Sequence, residues 1–265
     1  MTLMHGRRGL IVGVANARSL AFGIAKAARD EGARLAVTYQ SERLALGVRA
    51  LAAELQAELC LPLDVTQDAE LRAVRQTLEQ HWGAVDFVVH AVAHARKEEL
   101  EGPFIQTSRE GFHEALEVSA YSLVALAREF APLLASGVSP SLLTLTYLGS
   151  GRAVPNYNVM GVAKAALEAA VRYLAMDLGP RGIRVNAVSA GAVKTLSAAG
   201  VRGLRSLLAF APQVAPLGRN VDSEDVGRAA LFLLSDLSRA TTGQVLFVDA
   251  GFNIVGVPQA PQGVS

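Results

Sequence analysis

Cysteine is nearly absent. Cys60 stands alone among 265 residues, so neither an internal disulfide nor a paired-cysteine metal site can form. Its apolar surroundings read as those of an inert, buried thiol. Excess charge of either sign is lacking too: 25 basic and 24 acidic side chains leave a net charge of +1. That excludes the strongly basic surface of a nucleic-acid binder and gives no hint of a polyacidic partner. No uncharged apolar run approaches the roughly 18 residues of a membrane helix. The start, MTLMHGRRGLIVGVA, is basic, but GLIVGV is too short for a signal core and reads better as a strand. A cytoplasmic protein with no membrane partner is the expectation. His5, His81, His90, His94 and His113 show no metal-ligand spacing with a carboxylate or cysteine, and no G-x-S-x-G elbow occurs. Neither a metal site nor a serine hydrolase is expected.

What is present is 51% hydrophobic, enough for one large core. Short apolar runs alternate with helical periodicity. Strands are expected at Arg8–Val14, ARLAVTY, ELCLPLDV, DFVVHAV, LLTLTYL, IRVNAVSA and GQVLFVDAG. Helices are expected over Leu20–Glu31, Ser41–Gln56, Asp68–His81, Arg109–Leu134, Asn156–Leu178 and Ser223–Leu234. Strands apolar on both faces and separated by helices make a parallel sheet covered on both sides. The pattern implies a single α/β domain, doubly wound, of about seven strands. One stretch breaks the rhythm: residues 191–220 are rich in small residues and carry Lys194, Arg202, Arg205 and Arg219. A long irregular segment in a compact domain is often a lid.

The first strand runs into Gly13-Val-Ala-Asn-Ala-Arg-Ser19-Leu-Ala-Phe-Gly23. In such sheets ligands bind beyond the strand carboxyl ends, where the strand order reverses. Glycine lets the backbone approach a pyrophosphate, and the next helix offers its N–H groups to the anion. The full G-x-G-x-x-G is missing, so an ordinary turn remains open as a reading. At the second strand's end, Gln40 can bond a ribose 2′-hydroxyl without charge. Nearby, Glu42 disfavours a 2′-phosphate and Arg43 favours one; the balance leans to NAD(H) over NADP(H). Asp64, followed by Val65, could accept from an adenine amine or simply cap a helix.

The segment YLGSGRAVPNYNVMGVAKAALEAAV holds Tyr147, Tyr157 and a lone Lys164 in an apolar run. A lysine on the helix after the fifth strand, preceded by a tyrosine, resembles the short-chain dehydrogenase/reductase superfamily. There the lysine binds the nicotinamide ribose and the tyrosine hydroxyl meets the substrate oxygen. The ordinary spacing is four residues, but Met160 occupies that place here. Tyr157 lies seven residues before Lys164, about 10 Å along a helix axis and on the same face. A carbonyl reductase needs donor and hydride at adjacent atoms. A conjugate reductase does not, because hydride lands on the β carbon while charge develops on a distant oxygen.

Tyr-x6-Lys resembles the enoyl-acyl-carrier-protein reductases, a divergent branch of that superfamily with a Rossmann-like fold. The likeness runs from about Gly6 to Val255 through GVANARSLAFGIA, AVTYQSERL, LDVTQDAEL, LEVSAYSLVALA, GIRVNAVSAG and TGQVLFVDAGF. It implies Tyr157, Lys164 and Tyr147 as catalytic residues. It implies NADH lined by Gly13, Ser19, Leu20, Gln40, Asp64, Val65, Val92, Lys164, Val193, Lys194, Thr195, Leu196 and Ser197. Ala95 is implied to touch substrate, enoyl-acyl carrier protein to deliver it, and a homotetramer to form. Two positions depart from the pattern: Ala93 stands where relatives have glycine, and Ala192 where they have proline. An ordinary carbonyl or alcohol oxidoreductase, and a non-catalytic nucleotide-sensing module, are the rival readings; the tyrosine spacing and the intact Tyr157/Lys164 pair argue against them.

Overall fold

The structure, a computed structural model, describes residues 2–193 and 203–257. Seven parallel strands form one sheet in the order β3-β2-β1-β4-β5-β6-β7. They are β1 Arg8–Val12, β2 Arg34–Tyr39, β3 Leu59–Pro62, β4 Phe87–His90, β5 Ser141–Thr146, β6 Arg184–Ala190 and β7 Val245–Val248. The helices are α1 Leu20–Asp30, α2 Glu42–Glu54, α3 Asp68–Trp82, α4 Lys97–Leu100, α5 Arg109–Leu116, α6 Ser122–Ala135, α7 Asn158–Leu178, α8 Leu204–Val214 and α9 Ser223–Leu234. The order reverses between β1 and β4, which opens a crevice at their carboxyl ends.

Alternation along the strands builds two cores. Leu10, Val12 and Val88 join Leu78, Leu126, Phe130 and Val171 of α3, α6 and α7 on one face. Ile11, Val37, Phe87 and Val89 join Ile24, Val48 and Leu233 of α1, α2 and α9 on the other. Phe87 reaches across its neighbour because that neighbour is Gly9, where a Cβ would sit 2.0 Å from the ring. Gly23 also acts in packing: a Cβ there would lie 2.4 Å from the Ser223 carbonyl. It lets α1 and α9 cross closely, a use the sequence reading did not assign.

Five strands stop earlier than their expected runs; β2 and β6 do not. Gly13 takes φ +105, a conformation no strand residue holds, so β1 ends at Val12 and the chain turns into the crevice. The run from Arg109 is continuous but not uniform: a π-helical turn over Glu117–Tyr121 joins α5 to α6. By length and composition alone Arg109–Ala135 passes as a membrane span. Here it is a core helix, with Leu123, Leu126, Phe130 and Leu134 fully buried. At α9 the capping residue is Asp222, one residue before the expected start; its carboxylate accepts from Glu224 N and Asp225 N.

Candidate active site

Two hollows meet above the crevice. A groove of about 320 Å³ runs past Gly13, Asn16, Ser19, Gln40, Val65 and Val92 to Lys164. An apolar cavity of about 680 Å³ is walled by Ala95, Leu100, Pro155, Met160, Val193 and Phe210 among others. Leu20, Ala93, Thr146, Tyr147 and Tyr157 line both. Of the expected cofactor residues, Gly13, Ser19, Leu20, Gln40, Val65, Val92 and Lys164 line the groove, whereas Val193 lines the cavity with Ala95; the tyrosines stand at the seam.

The groove is shaped for an anion at one end. Ser19 caps α1: its Oγ accepts from Phe22 N at 3.2 Å and donates to the Asn16 carbonyl at 2.7 Å. Leu20 and Ala21 of the first turn line the groove, which sets that helix N-terminus beside it. At Gly13 a Cβ would lie 2.3 Å from the Ala91 carbonyl. Only glycine satisfies both that approach and the positive φ. At the ribose end Gln40 faces the groove, whereas Glu42 leans towards Tyr39, whose hydroxyl donates to its Oε1 at 3.4 Å. Asp64 does not line the groove; its Oδ1 accepts from Thr66 N and Oγ1 at 3.0 and 2.8 Å. Nor does it cap α3, whose N-cap is Gln67. Lys194, Thr195, Leu196 and Ser197 lie outside the described residues.

Lys164 is 6% exposed. Its Nζ donates to the Leu145 carbonyl at 2.8 Å, and Glu168 sits one turn further along α7. Burial pushes the ammonium down to about 8, and the Glu168 charge opposes that fall. Glu168 is itself held by Thr146, which donates to Oε1 at 2.7 Å. The i,i+4 spacing of Lys164 and Glu168 was visible in the sequence, yet the sequence reading gave Glu168 no role.

Tyr157 is the N-cap residue of α7, at φ −112 and ψ −26. Its ring meets Tyr147 edge-on, with centroids 5.0 Å apart and planes at 65°. Gly149 makes room for it, since a Cβ there would lie 2.4 Å from Tyr157 Cδ1. Burial first, and the Tyr147 hydroxyl second, hold the Tyr157 phenol well above its ordinary range. Burial, then Asp249, raises Tyr147 as well. Both phenols are neutral O–H donors at physiological pH.

Beneath the seam lies a buried polar row that the sequence did not reveal. Ser122 Oγ donates to the Val118 carbonyl at 2.7 Å, so it accepts from His90 Nε2 at 2.8 Å. That leaves His90 Nδ1 to accept from Thr144 Oγ1 at 2.8 Å. Burial, aided by the Lys164 charge, depresses the imidazole to about 3. The π turn supplies the matching partner for the loop after β4: Ser119 Oγ accepts from His94 N at 2.9 Å and donates to the His94 carbonyl at 3.0 Å. Ala93 and Ala95 are thereby fixed at the mouth of the cavity.

Among proteins of known family, the chain matches the family described as enoyl-(acyl carrier protein) reductase over residues 13–253. It is 50% identical over 256 residues to the enoyl-acyl-carrier-protein reductase [NADH] 2 of Rhizobium meliloti, covering 97% of this chain and 95% of that protein. The reductase of Anaplasma phagocytophilum, solved in complex with NAD, superposes with TM-score 0.93 at 46% identity, covering 97% and 98% of the two chains. That of Bacillus cereus, solved with NADP+ and an indole naphthyridinone, superposes with TM-score 0.94 at 49% identity, covering 97% and 100%. With this likeness spanning both hollows and all seven strands, the chain belongs to the enoyl-acyl-carrier-protein reductase family.

Proposed function

We propose that the chain reduces the 2,3 double bond of enoyl thioesters with NADH, serving fatty acid elongation, with Tyr157 and Lys164 in separate roles. The observation that carries the reading is their placement. Lys164 ends the groove, while the Tyr157 phenol, seven residues earlier, opens into the apolar cavity as well.

The groove suits a dinucleotide: a glycine turn, a capped helix N-terminus and a buried cation lie along it in that order. NADH, when bound, supplies the hydride that reaches the β carbon. Lys164 donates to the nicotinamide ribose and anchors that end. Tyr157 donates a hydrogen bond from its hydroxyl to the thioester oxygen, where negative charge develops, and the enolate is completed by a proton taken up at the α carbon from water. Its raised acidity threshold suits a donor rather than a base. Tyr147 packs against the Tyr157 ring and fixes the direction of the hydroxyl. Gly13, Ser19, Leu20, Gln40, Val65 and Val92 line the cofactor; Val193, Ala95 and Met160 flank the acyl chain. Acyl carrier protein delivers the substrate, and the 191–220 segment is the lid, with α8 as its helical part walling the substrate cavity. A cytoplasmic homotetramer is the assembly we propose.

A carbonyl reductase of the same superfamily is disfavoured because Met160, apolar and 7% exposed, holds the position one turn before Lys164. The deciding assay follows nicotinamide absorbance with crotonyl and longer enoyl thioesters. Consumption of NADH is expected. Absence of turnover across chain lengths, with NADPH tried as well, would reject the reading.

A further inference from the structure

Helix α8 walls the apolar cavity through Ser206, Leu207 and Phe210. It carries a proline in its interior, Pro212. Proline has no N–H, so the carbonyl four residues earlier, that of Leu208, loses its helical partner. In this fold that carbonyl is not left bare. Asn220 Nδ2, arriving from the turn before α9, donates to it at 2.8 Å. The amide does so at its own expense, for its Oδ1 is buried and finds no donor among the described residues.

Asn220 is itself held from behind. Its carbonyl accepts from Arg219 Nη1 at 3.1 Å. Arg219 forms a two-pronged pair with Asp225, Nη1–Oδ2 2.6 Å and Nη2–Oδ1 2.9 Å. Asp225 in turn closes the cap of α9 by accepting from Asp222 N at 3.1 Å. A continuous run of bonds therefore joins the capped end of α9, which packs on the sheet, to the wall of the cavity. On the far side of α8, Phe210 meets Phe252 edge-on at 6.4 Å.

We propose that Asn220 is a positioning residue for the acyl pocket: it replaces the hydrogen bond that Pro212 removes from α8 and so sets Leu207 and Phe210 as a fixed wall. The proposal rests on the enoyl-thioester reading for what fills the cavity. The brace itself stands on geometry alone. Because the two residues answer one another, their substitutions must not be additive.

The test is a double-mutant cycle of wild type, Asn220→Ala, Pro212→Ala and the double variant. Two readouts are taken: amide exchange in residues 204–214, and Michaelis constants for crotonyl and long-chain enoyl thioesters. Asn220→Ala should speed exchange in α8 about tenfold, as expected for one buried carbonyl left unpaired. It should raise the long-chain KM several-fold, while NADH affinity and crotonyl turnover stay within about twofold of wild type. The double variant should recover both, since an N–H at position 212 can again serve Leu208. Asn220→Asp keeps the shape but cannot donate when ionised, and should behave like Ala. Unchanged exchange in Asn220→Ala, or a defect that persists when Pro212 is also replaced, would overturn the brace. Altered exchange without a change in long-chain KM would overturn the positioning role. If wild type turns over no enoyl thioester, the functional reading fails, while exchange still decides the brace.

Discussion

Lys164 keeps a positive charge against burial because three things compensate it at once. The Leu145 carbonyl accepts a hydrogen bond from Nζ, α7 places Glu168 one turn away, and His90, the titratable group on β4, is neutral. The two tyrosines facing it are neutral too. With the ammonium at about 8, kcat/KM for NADH in the free enzyme should decline as pH rises through that value. Glu168→Gln removes the one favourable charge, so its alkaline limb should move to lower pH while the acid side is unchanged. A pH profile of the two proteins checks this; coincident limbs would show that Glu168 does not support the lysine. Tyr157→Phe deletes the donor but keeps the ring packed on Tyr147. Turnover should fall about 10²–10³-fold, the scale for losing one donor to a developing anion, with NADH binding preserved. At this scale the sequence placed Tyr157 and Lys164 together in the crevice, where both line the groove. It was not legible where a side chain's direction decides. Gln40 and Asp64 are both polar residues at strand ends, yet one faces the groove and the other turns to Thr66.

The strands and most helices were legible from periodicity, because parallel strands buried on both faces read as unbroken apolar runs; α8 was not, since it lies in the stretch read as irregular. Some strand ends were not, since β1, β3, β4, β5 and β7 give up their last residues to loops, while β2 and β6 end as expected. Gly13 is the clearest instance: apolar neighbours extend the run, but its φ of +105 ends the strand. Gly13→Ala should therefore hurt twice, through φ and through the Ala91 carbonyl 2.3 Å from the new methyl. A loss of roughly 1–3 kcal/mol in stability is expected, with weaker NADH binding, measured by denaturant melts and cofactor titration. A stability equal to wild type would mean that the turn can relax. The π turn between α5 and α6 was invisible to the 3.6-residue pattern because it inserts a residue without breaking the apolar face. Its effect is local and chemical: it presents Ser119 to the loop carrying Ala93 and Ala95.

For the molecule as a whole, His90 sets the acid limit. Its native imidazole sits at about 3 against 6.5 for the free group. Between those values the unfolded chain takes up a proton that the native fold refuses, so stability falls as pH drops through that window. The slope is up to about 1.4 kcal/mol per pH unit. Urea midpoints of wild type and His90→Gln at pH 7 and pH 4.5 should converge on acidification if this holds, after allowance for the lost ring. At the sheet edge β7 leaves Phe247 43% exposed, a large apolar side chain suited to contact between copies. Phe247→Glu is expected to lower the mass of the proposed tetramer on sizing; an unchanged mass would place the contact elsewhere. The parallel arrangement also divides the molecule into two rims. Catalytic loops leave the carboxyl ends of the strands, while Gly83 and Gly182 lead into β4 and β6 at the amino ends, both in left-handed turns with open space around them. A reporter peptide or surface tether grafted at Gly182 would hold the protein by its back, leaving the substrate mouth free to face a carrier in solution.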